Sequence, residues 1–137
     1  MAERKWRKMA TDYTQKPVEK WNVRDFHGYL QAEHLRRFGV SYAPMRSWRT
    51  EQGLLGNIVG TAKKEGTHDK ALIKAFIDRC FANYQPSAQY PGISFGFMWT
   101  WMRRELQLAE LDAKKAEESS RAMAKAETEL EGLSEWL

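Results

Sequence analysis

Apolar residues recur at steps of three and four along most of this sequence, and that spacing constrains the fold more than any other feature. The clearest case is the segment 69–84, where Thr67 is predicted to cap a helix. No segment shows the alternating pattern of a half-buried strand. We therefore predict an all-α fold, a small helical domain of about four helices with a long C-terminal helix. The apolar stripe of segment 69–84 contains Leu72, Ile73, Phe76, Ile77, Cys80, Phe81 and Tyr84.

Two earlier segments are also predicted to be helical. The first is 23–38, with Asn22 as N-cap and Gly39 ending the helix in a left-handed conformation. The second runs from about Pro44 to Lys64, and each glycine within it costs about 1 kcal/mol of helix propensity. Either this helix breaks near Gly53, as in a helix-turn-helix corner, or another backbone packs closely against it. The glycines are Gly53, Gly56 and Gly60.

From Phe95 the pattern becomes helical again and continues to Gly132, which we predict to end the helix. Residues along it follow a heptad-like seam in steps of four and three. The seam is thin, since alanine, serine and glutamate bury little area, and it leaves open a weak homodimer. Its members are Met102, Leu106, Ala109, Ala113, Ala116, Ser120, Met123, Glu127 and Leu130.

Charge divides the chain into a basic body and an acidic tail. Residues 1–105 carry 18 Lys and Arg against 10 Asp and Glu, a net charge of +8, whereas residues 106–137 carry 4 against 8, a net charge of −4. We predict a basic N-terminal arm (1–16), a helical core domain (17–105) and an acidic helical tail (106–137) with an apolar tip. A basic body favours polyanionic partners, and an acidic tail can compete for the basic surface or engage another partner.

Several classes of protein are disfavoured by the composition. No run of about 18 apolar residues exists, so no membrane span or membrane partner is expected. The basic start lacks the apolar stretch of a secretory signal, and the single cysteine, Cys80, lies in an apolar stripe and suits a buried thiol. These features predict a cytoplasmic protein.

No catalytic, cofactor or metal site emerges from the motifs. Gly92–Gly96 matches a nucleophile-elbow pattern, but no histidine follows His68, and the glycine spacing from Gly56 does not fit a phosphate-binding loop. His27 and His34 are seven residues apart, about 10 Å along a helix, too far to share a metal ion. We therefore expect core histidines, no metal, no cofactor and no enzyme activity.

Aromatic residues interleaved with arginines point instead to nucleic-acid binding, with DNA preferred over RNA. Exposed rings can stack on bases while guanidinium groups bind phosphate. On a helix Trp99 and Trp101 point about 200° apart, and the neighbouring apolar face predicts that Trp101 is the more exposed. The predicted nucleic-acid-binding residues are Arg4, Lys5, Trp6, Arg7, Lys8, Arg46, Arg49, Trp101, Arg103 and Arg104.

A rival function is a protein–protein adaptor or inhibitor that works through the acidic tail. Three apolar residues at the end of the chain would then contact the partner, and the basic surface would be incidental. The predicted partner-binding residues are Leu133, Trp136 and Leu137.

One segment carries a resemblance. The residues from Phe81 to Ser87 and from Tyr90 to Met98, with the helix before them, resemble part of small, largely uncharacterised proteins of bacteriophages and prophages. The resemblance implies a phage or mobile-element context and the cytoplasm of the host cell. Phage proteins of this size commonly act as nucleic-acid-binding accessories in replication or transcription, or inhibit a host complex. It assigns no activity or site residues.

Overall fold

A computed structural model describes residues 12–136. Two short 3-10 helices, Asp12–Gln15 and Val18–Lys20, precede the main elements. The described residues contain no β-strand, and the predicted all-α fold with a long C-terminal helix is confirmed. The α-helices are α1 Val23–Phe38, α2 Trp48–Val59, α3 Lys70–Asn83, α4 Phe95–Trp101 and α5 Arg103–Trp136.

The ends of α1 lie where the sequence predicts them. The Asn22 side chain accepts a hydrogen bond from the Asp25 backbone N–H, and the Asp25 carboxylate accepts one from the Asn22 N–H, both at 2.9 Å. Gly39 follows the helix with φ = 72°, in the left-handed region that side chains disfavour. Two local signals, one at each end, therefore determine this helix.

The predicted bounds of α2 are wrong at both ends, and the helix does not break at Gly53. The helix begins at Trp48, where the Ser47 side chain caps the Thr50 N–H, rather than near Pro44, and it ends at Val59 rather than at Lys64. A Cβ at Gly53 would meet no atom within 4 Å, so neither a helix-turn-helix corner nor close packing accounts for this glycine. The close approach occurs instead at Gly60, which has φ = 93° and where a Cβ would lie 2.7 Å from the backbone N of Gly66.

The third helix keeps its predicted apolar stripe but begins slightly later. Its N-cap is Asp69, whose carboxylate accepts a hydrogen bond from the Leu72 N–H at 3.2 Å, and not Thr67. Ile73, Phe76 and Ile77 are fully buried. This helix lies at the centre of the body.

The single helix predicted from Phe95 is two helices, which makes the number of α-helices five rather than about four. Met102 separates them with φ = −119° and ψ = 29°. No glycine or proline marks this break, so the packing of the two helices against α3 must impose it. At the other end, the prediction that Gly132 ends the helix is wrong, because α5 continues to Trp136.

The last helix starts in the body and leaves it. Its first turns run antiparallel to α3, since the Asn83 side chain contacts Glu105 at 2.9 Å while Arg79 reaches Asp112 at 2.9 Å. Leu106 and Ala109 are buried, and every residue from 110 to 136 is exposed. Residues 114–136 therefore extend from the body as a helix of about 35 Å, which we call the projecting tail. Among the described residues, no helix is both long and apolar enough to cross a bilayer.

Candidate nucleic-acid interface

A buried glutamate fixes the position of α4 relative to the start of α2. Glu51 is 1% exposed, and its carboxylate accepts hydrogen bonds from the backbone N–H groups of Met45, at 2.9 Å, and Gly96, at 3.3 Å. The Tyr42 hydroxyl donates to the same carboxylate and accepts from the Phe95 N–H at 2.8 Å. One side-chain pair thus binds the first two N–H groups of α4, which have no partner within the helix.

The charge state of this pair follows from its contacts. Burial acts to raise the pKa of Glu51, but His27, Tyr42 and two backbone N–H groups outweigh it and hold that pKa below its ordinary value. Burial, together with the adjacent Glu51, raises the pKa of Tyr42. At neutral pH the pair is therefore a carboxylate that accepts a hydrogen bond from a neutral phenol.

Both histidines of α1 belong to the core, as expected. Nδ1 of His34 lies 2.9 Å from the Val40 carbonyl oxygen, and Nε2 lies 3.2 Å from the Ile93 N–H, so a neutral ring donates to the first and accepts from the second. His27 is buried with Nε2 at 3.4 Å from Glu51. Within residues 12–136 no group of three His, Cys, Asp or Glu side chains is placed to hold a metal ion.

Exposed aromatic rings line one side of α4 and the loop before it. Trp101 is 71% exposed, and Phe97, one turn earlier on the same side, is also exposed. The Phe97 ring packs edge-on against Tyr84, whose hydroxyl donates to the Tyr90 carbonyl oxygen at 2.7 Å. We call the exposed rings of Tyr90, Phe97 and Trp101 the aromatic ridge.

Trp99 has the opposite environment to Trp101. Its ring stacks on Phe95 and meets Phe76 and His68 edge-on, and it is partly buried. Trp101 is therefore the more exposed tryptophan, as the helical spacing predicted. The guanidinium of Arg103 lies 3.7 Å from the Trp99 ring centroid, so a cation covers the face that the core leaves open.

Three of the four predicted arginines of the described chain lie at the two ends of α4. Arg103 and Arg104 occupy the first two positions of α5, just beyond Trp101. Arg46 neighbours Met45, whose side chain packs on Gly96, so it lies beside the first turn of α4, about 8 Å along the helix from Trp101. Arg49 is the second residue of α2 and points away from Glu51, the residue of α2 that contacts α4.

These four arginines differ from the cations of the chain that form ion pairs. Between residues 12 and 136, Arg46, Arg49, Arg103 and Arg104 are exposed and have no acidic partner. Three of them lie in the first turn of a helix, where the helix dipole disfavours positive charge and favours an anion. Their positions reduce helix stability slightly and raise the attraction for phosphate. The cations that do form ion pairs are Lys16, Arg36, Arg37, Lys74, Arg79 and Arg121.

A basic groove was missed from the sequence. It has a volume of about 630 Å³ and lies between the start of α1 and the 60–66 turn. Glu65 is the carboxylate in its lining. Lys20 and Arg24 flank Trp21 in the sequence, but their approach to the other two cations depends on the Gly60–Glu65 bridge, which no local pattern signals. The cations of this basic groove are Lys20, Arg24, Lys64 and Lys70.

The remaining predicted residues lie at the ends of the chain. The structure places Leu133 and Trp136 on the projecting tail, with Trp136 89% exposed. The predicted contact Leu137 lies outside the described residues. The arm contacts also lie outside them, namely Arg4, Lys5, Trp6, Arg7 and Lys8.

No protein family, curated protein or solved structure matches this chain. Its function must therefore be argued from the geometry of these surfaces.

Proposed function

We propose that this protein is a non-catalytic nucleic-acid-binding protein that holds bases on the aromatic ridge and phosphates on the flanking arginines. One observation carries the proposal: Trp101 is 71% exposed, and it is followed in the sequence by Arg103 and Arg104, which have no acidic partner among residues 12–136. The hydrophobic core does not use the Trp101 ring, because Trp99 is the tryptophan that packs against Phe76 and Phe95. Stacking of a base on such a ring contributes about 1–3 kcal/mol.

Single-stranded nucleic acid suits this surface better than a duplex. Stacking on a side chain needs the open face of a base, which pairing and stacking within a duplex conceal. Phe97 and Trp101 lie one helical turn apart and present neighbouring rings to successive bases. The preference for DNA over RNA stays a prediction, as does the role of the basic arm.

The basic groove supplies a further set of phosphate contacts. Lys20, Arg24 and Lys70 have no ion pair within the described chain, and a strand that leaves the ridge can gain affinity from them by counterion release. The groove is concave, which concentrates the positive potential of its cations. A protein of this kind would act as an accessory in replication or transcription, in the cytoplasm of a host cell if a phage encodes it.

The proposal is tested by fluorescence anisotropy of labelled single- and double-stranded oligonucleotides at about 50 and 200 mM salt. Trp101→Ala should weaken single-strand binding about 5- to 150-fold with little change in salt dependence, since it removes stacking. Arg103→Glu with Arg104→Glu should abolish binding.

Lys114→Glu with Lys115→Glu is the matched control, because it makes the same change in net charge at two adjacent exposed positions without ion pairs, about 17 Å along α5 from Arg103. This control should retain most of the affinity. Equal losses of affinity in both double variants would show that net charge alone accounts for the effect. An absence of binding at low salt would contradict the proposal.

A second candidate function is favoured by the exposure of the projecting tail. Leu133 and Trp136 lie on an acidic helix with no contact to the body. An adaptor or inhibitor that binds a protein partner through this surface should lose that partner, and not nucleic acid, when both residues become alanine. Pull-down with each variant as bait checks this outcome.

A further inference from the structure

The apolar stripe of α5 continues beyond the part of the helix that packs on α3. Ala109 is buried against the body, and the same row continues at seven-residue steps through Ala116, Met123 and Leu130. A second row contains Ser119, Ala126 and Leu133. Met123, Leu130 and Leu133 are each more than 60% exposed. The face that covers α3 therefore extends about 35 Å into solvent with no cover from residues 12–136.

Charge is distributed unevenly along the projecting tail. Its proximal half, 114–125, carries four cations and two carboxylates, whereas its distal half, 126–136, carries four carboxylates and no cation. Two parallel tails would align their distal halves and bring eight carboxylates together. Two antiparallel tails would align each acidic half with the other copy's net basic half. The charged residues are Lys114, Lys115, Glu117, Glu118, Arg121, Lys125, Glu127, Glu129, Glu131 and Glu135.

Side-chain size favours the same orientation. In one antiparallel register Met123 faces Ala126 of the other copy, and Leu130 faces Ser119. The same register places Leu133 opposite Ala116. Each large residue then meets a small one, which lets the helices approach closely. In a parallel, in-register pair Leu130 would face Leu130 and Ala116 would face Ala116. Crowded layers would then alternate with layers that leave gaps.

We propose that the projecting tail pairs antiparallel with the projecting tail of a second copy, through the rows that contain Met123, Leu130 and Leu133. The opposite net charges of the two halves of the tail and the alternation of large and small residues both favour this arrangement. The dimer does not depend on nucleic-acid binding, so Arg103→Glu with Arg104→Glu should leave it intact. In this dimer the partner of the tail is a second copy of this chain and not a different protein.

The first test is the mass of the full chain by analytical ultracentrifugation between about 1 and 100 µM, the range in which modest interfaces assemble. A concentration-dependent shift from one chain of 16.0 kDa to twice that mass is expected. Leu130→Ala removes one large side chain from each copy of the symmetric pair, so two losses of about 10-fold should together weaken the dimer about 100-fold. Leu111→Ala, an exposed apolar residue off the stripe, is the matched control and should leave the dimer unchanged.

Orientation is tested by oxidative cross-linking of variants that each carry one added cysteine, for which the unmodified chain with its buried Cys80 is the background control. A mixture of Ala116→Cys and Leu133→Cys chains should form the mixed disulfide, because the proposed register places these seam positions face to face. Each variant alone should form little. Efficient Leu133→Cys homodimers would show a parallel pair, and a monomer at all concentrations would assign the tail to another partner; either result overturns the proposal.

Discussion

The apolar stripes of α3 and of the projecting tail have the same helical spacing but opposite surroundings. The α3 stripe is built mainly from Ile, Phe and Leu and is largely buried, whereas the tail stripe alternates alanine and serine with Met123, Leu130 and Leu133 and is exposed. Spacing therefore predicts that a segment is helical, and the size of the residues along the stripe predicts whether the same chain buries it. Large side chains repay the loss of conformational entropy within one body, and small ones do not.

The largest difference between the two regions should appear when a buried carboxylate of the body is removed. Glu51→Ala leaves the Met45 and Gly96 N–H groups and the Tyr42 hydroxyl without an acceptor, so we expect the free energy of unfolding to fall by about 3–5 kcal/mol. Glu118→Ala, on the exposed tail, should change it by less than about 0.5 kcal/mol. Urea denaturation followed by tryptophan fluorescence measures both, and similar losses would contradict the contrast.

Acid should destabilise the body through the same residue. The folded-state pKa of Glu51 lies below its ordinary value of 4.5, so the stability that its carboxylate contributes is complete above that value and is lost as the pH falls through the folded-state pKa. Glu33, which accepts a hydrogen bond from Arg36, contributes with the same sign.

Glu51→Gln should be less stable than the natural chain near neutral pH and should lose less stability on acidification, since the amide does not titrate. Urea titrations at steps of pH between about 3 and 7 measure this slope. An unchanged slope in Glu51→Gln would assign the acid sensitivity to other carboxylates.

The smallest effects should come from two glycines, one that follows the end of α1 and one that lies inside α5. Gly39 follows α1 with φ = 72°, so Gly39→Ala should destabilise the body by about 1 kcal/mol. Gly132 lies inside the exposed tail with no atom near its Cβ position, so Gly132→Ala should raise helix propensity by up to about 1 kcal/mol. Circular dichroism should show the tail helix gaining order in Gly132→Ala, while thermal unfolding should show the body losing stability in Gly39→Ala.

The sequence predicts what depends on neighbours along the chain. Asn22 and Gly39 mark the ends of α1 because a cap and a left-handed residue act within one turn, and the α3 stripe is visible because its period repeats. Gly132 misled the prediction because the same residue type ends one helix and continues another. The break at Met102 carries no local signal.

Long-range contacts account for what the sequence could not predict in the candidate site. Glu51 reads as an ordinary polar helix residue, and its role depends on Gly96, which lies 45 positions later. The exposure of Trp101 followed from helical spacing, since Trp99 and Trp101 point in opposite directions. The basic groove required two segments of the chain to meet, and residue types alone did not indicate which lysines would face each other.

The continuity of α5 from the body to Trp136 fixes the angular phase of the tail as well as its length. Leu106 and Ala109 anchor the start of the helix, so one residue inserted after Ala113 would turn every distal side chain by about 100° and carry the stripe away from its original direction. An insertion of seven residues would restore that direction and move the tip outward by about 10 Å. We expect natural changes of length in this segment to occur in whole heptads, because these keep the apolar stripe of the tail in its original direction.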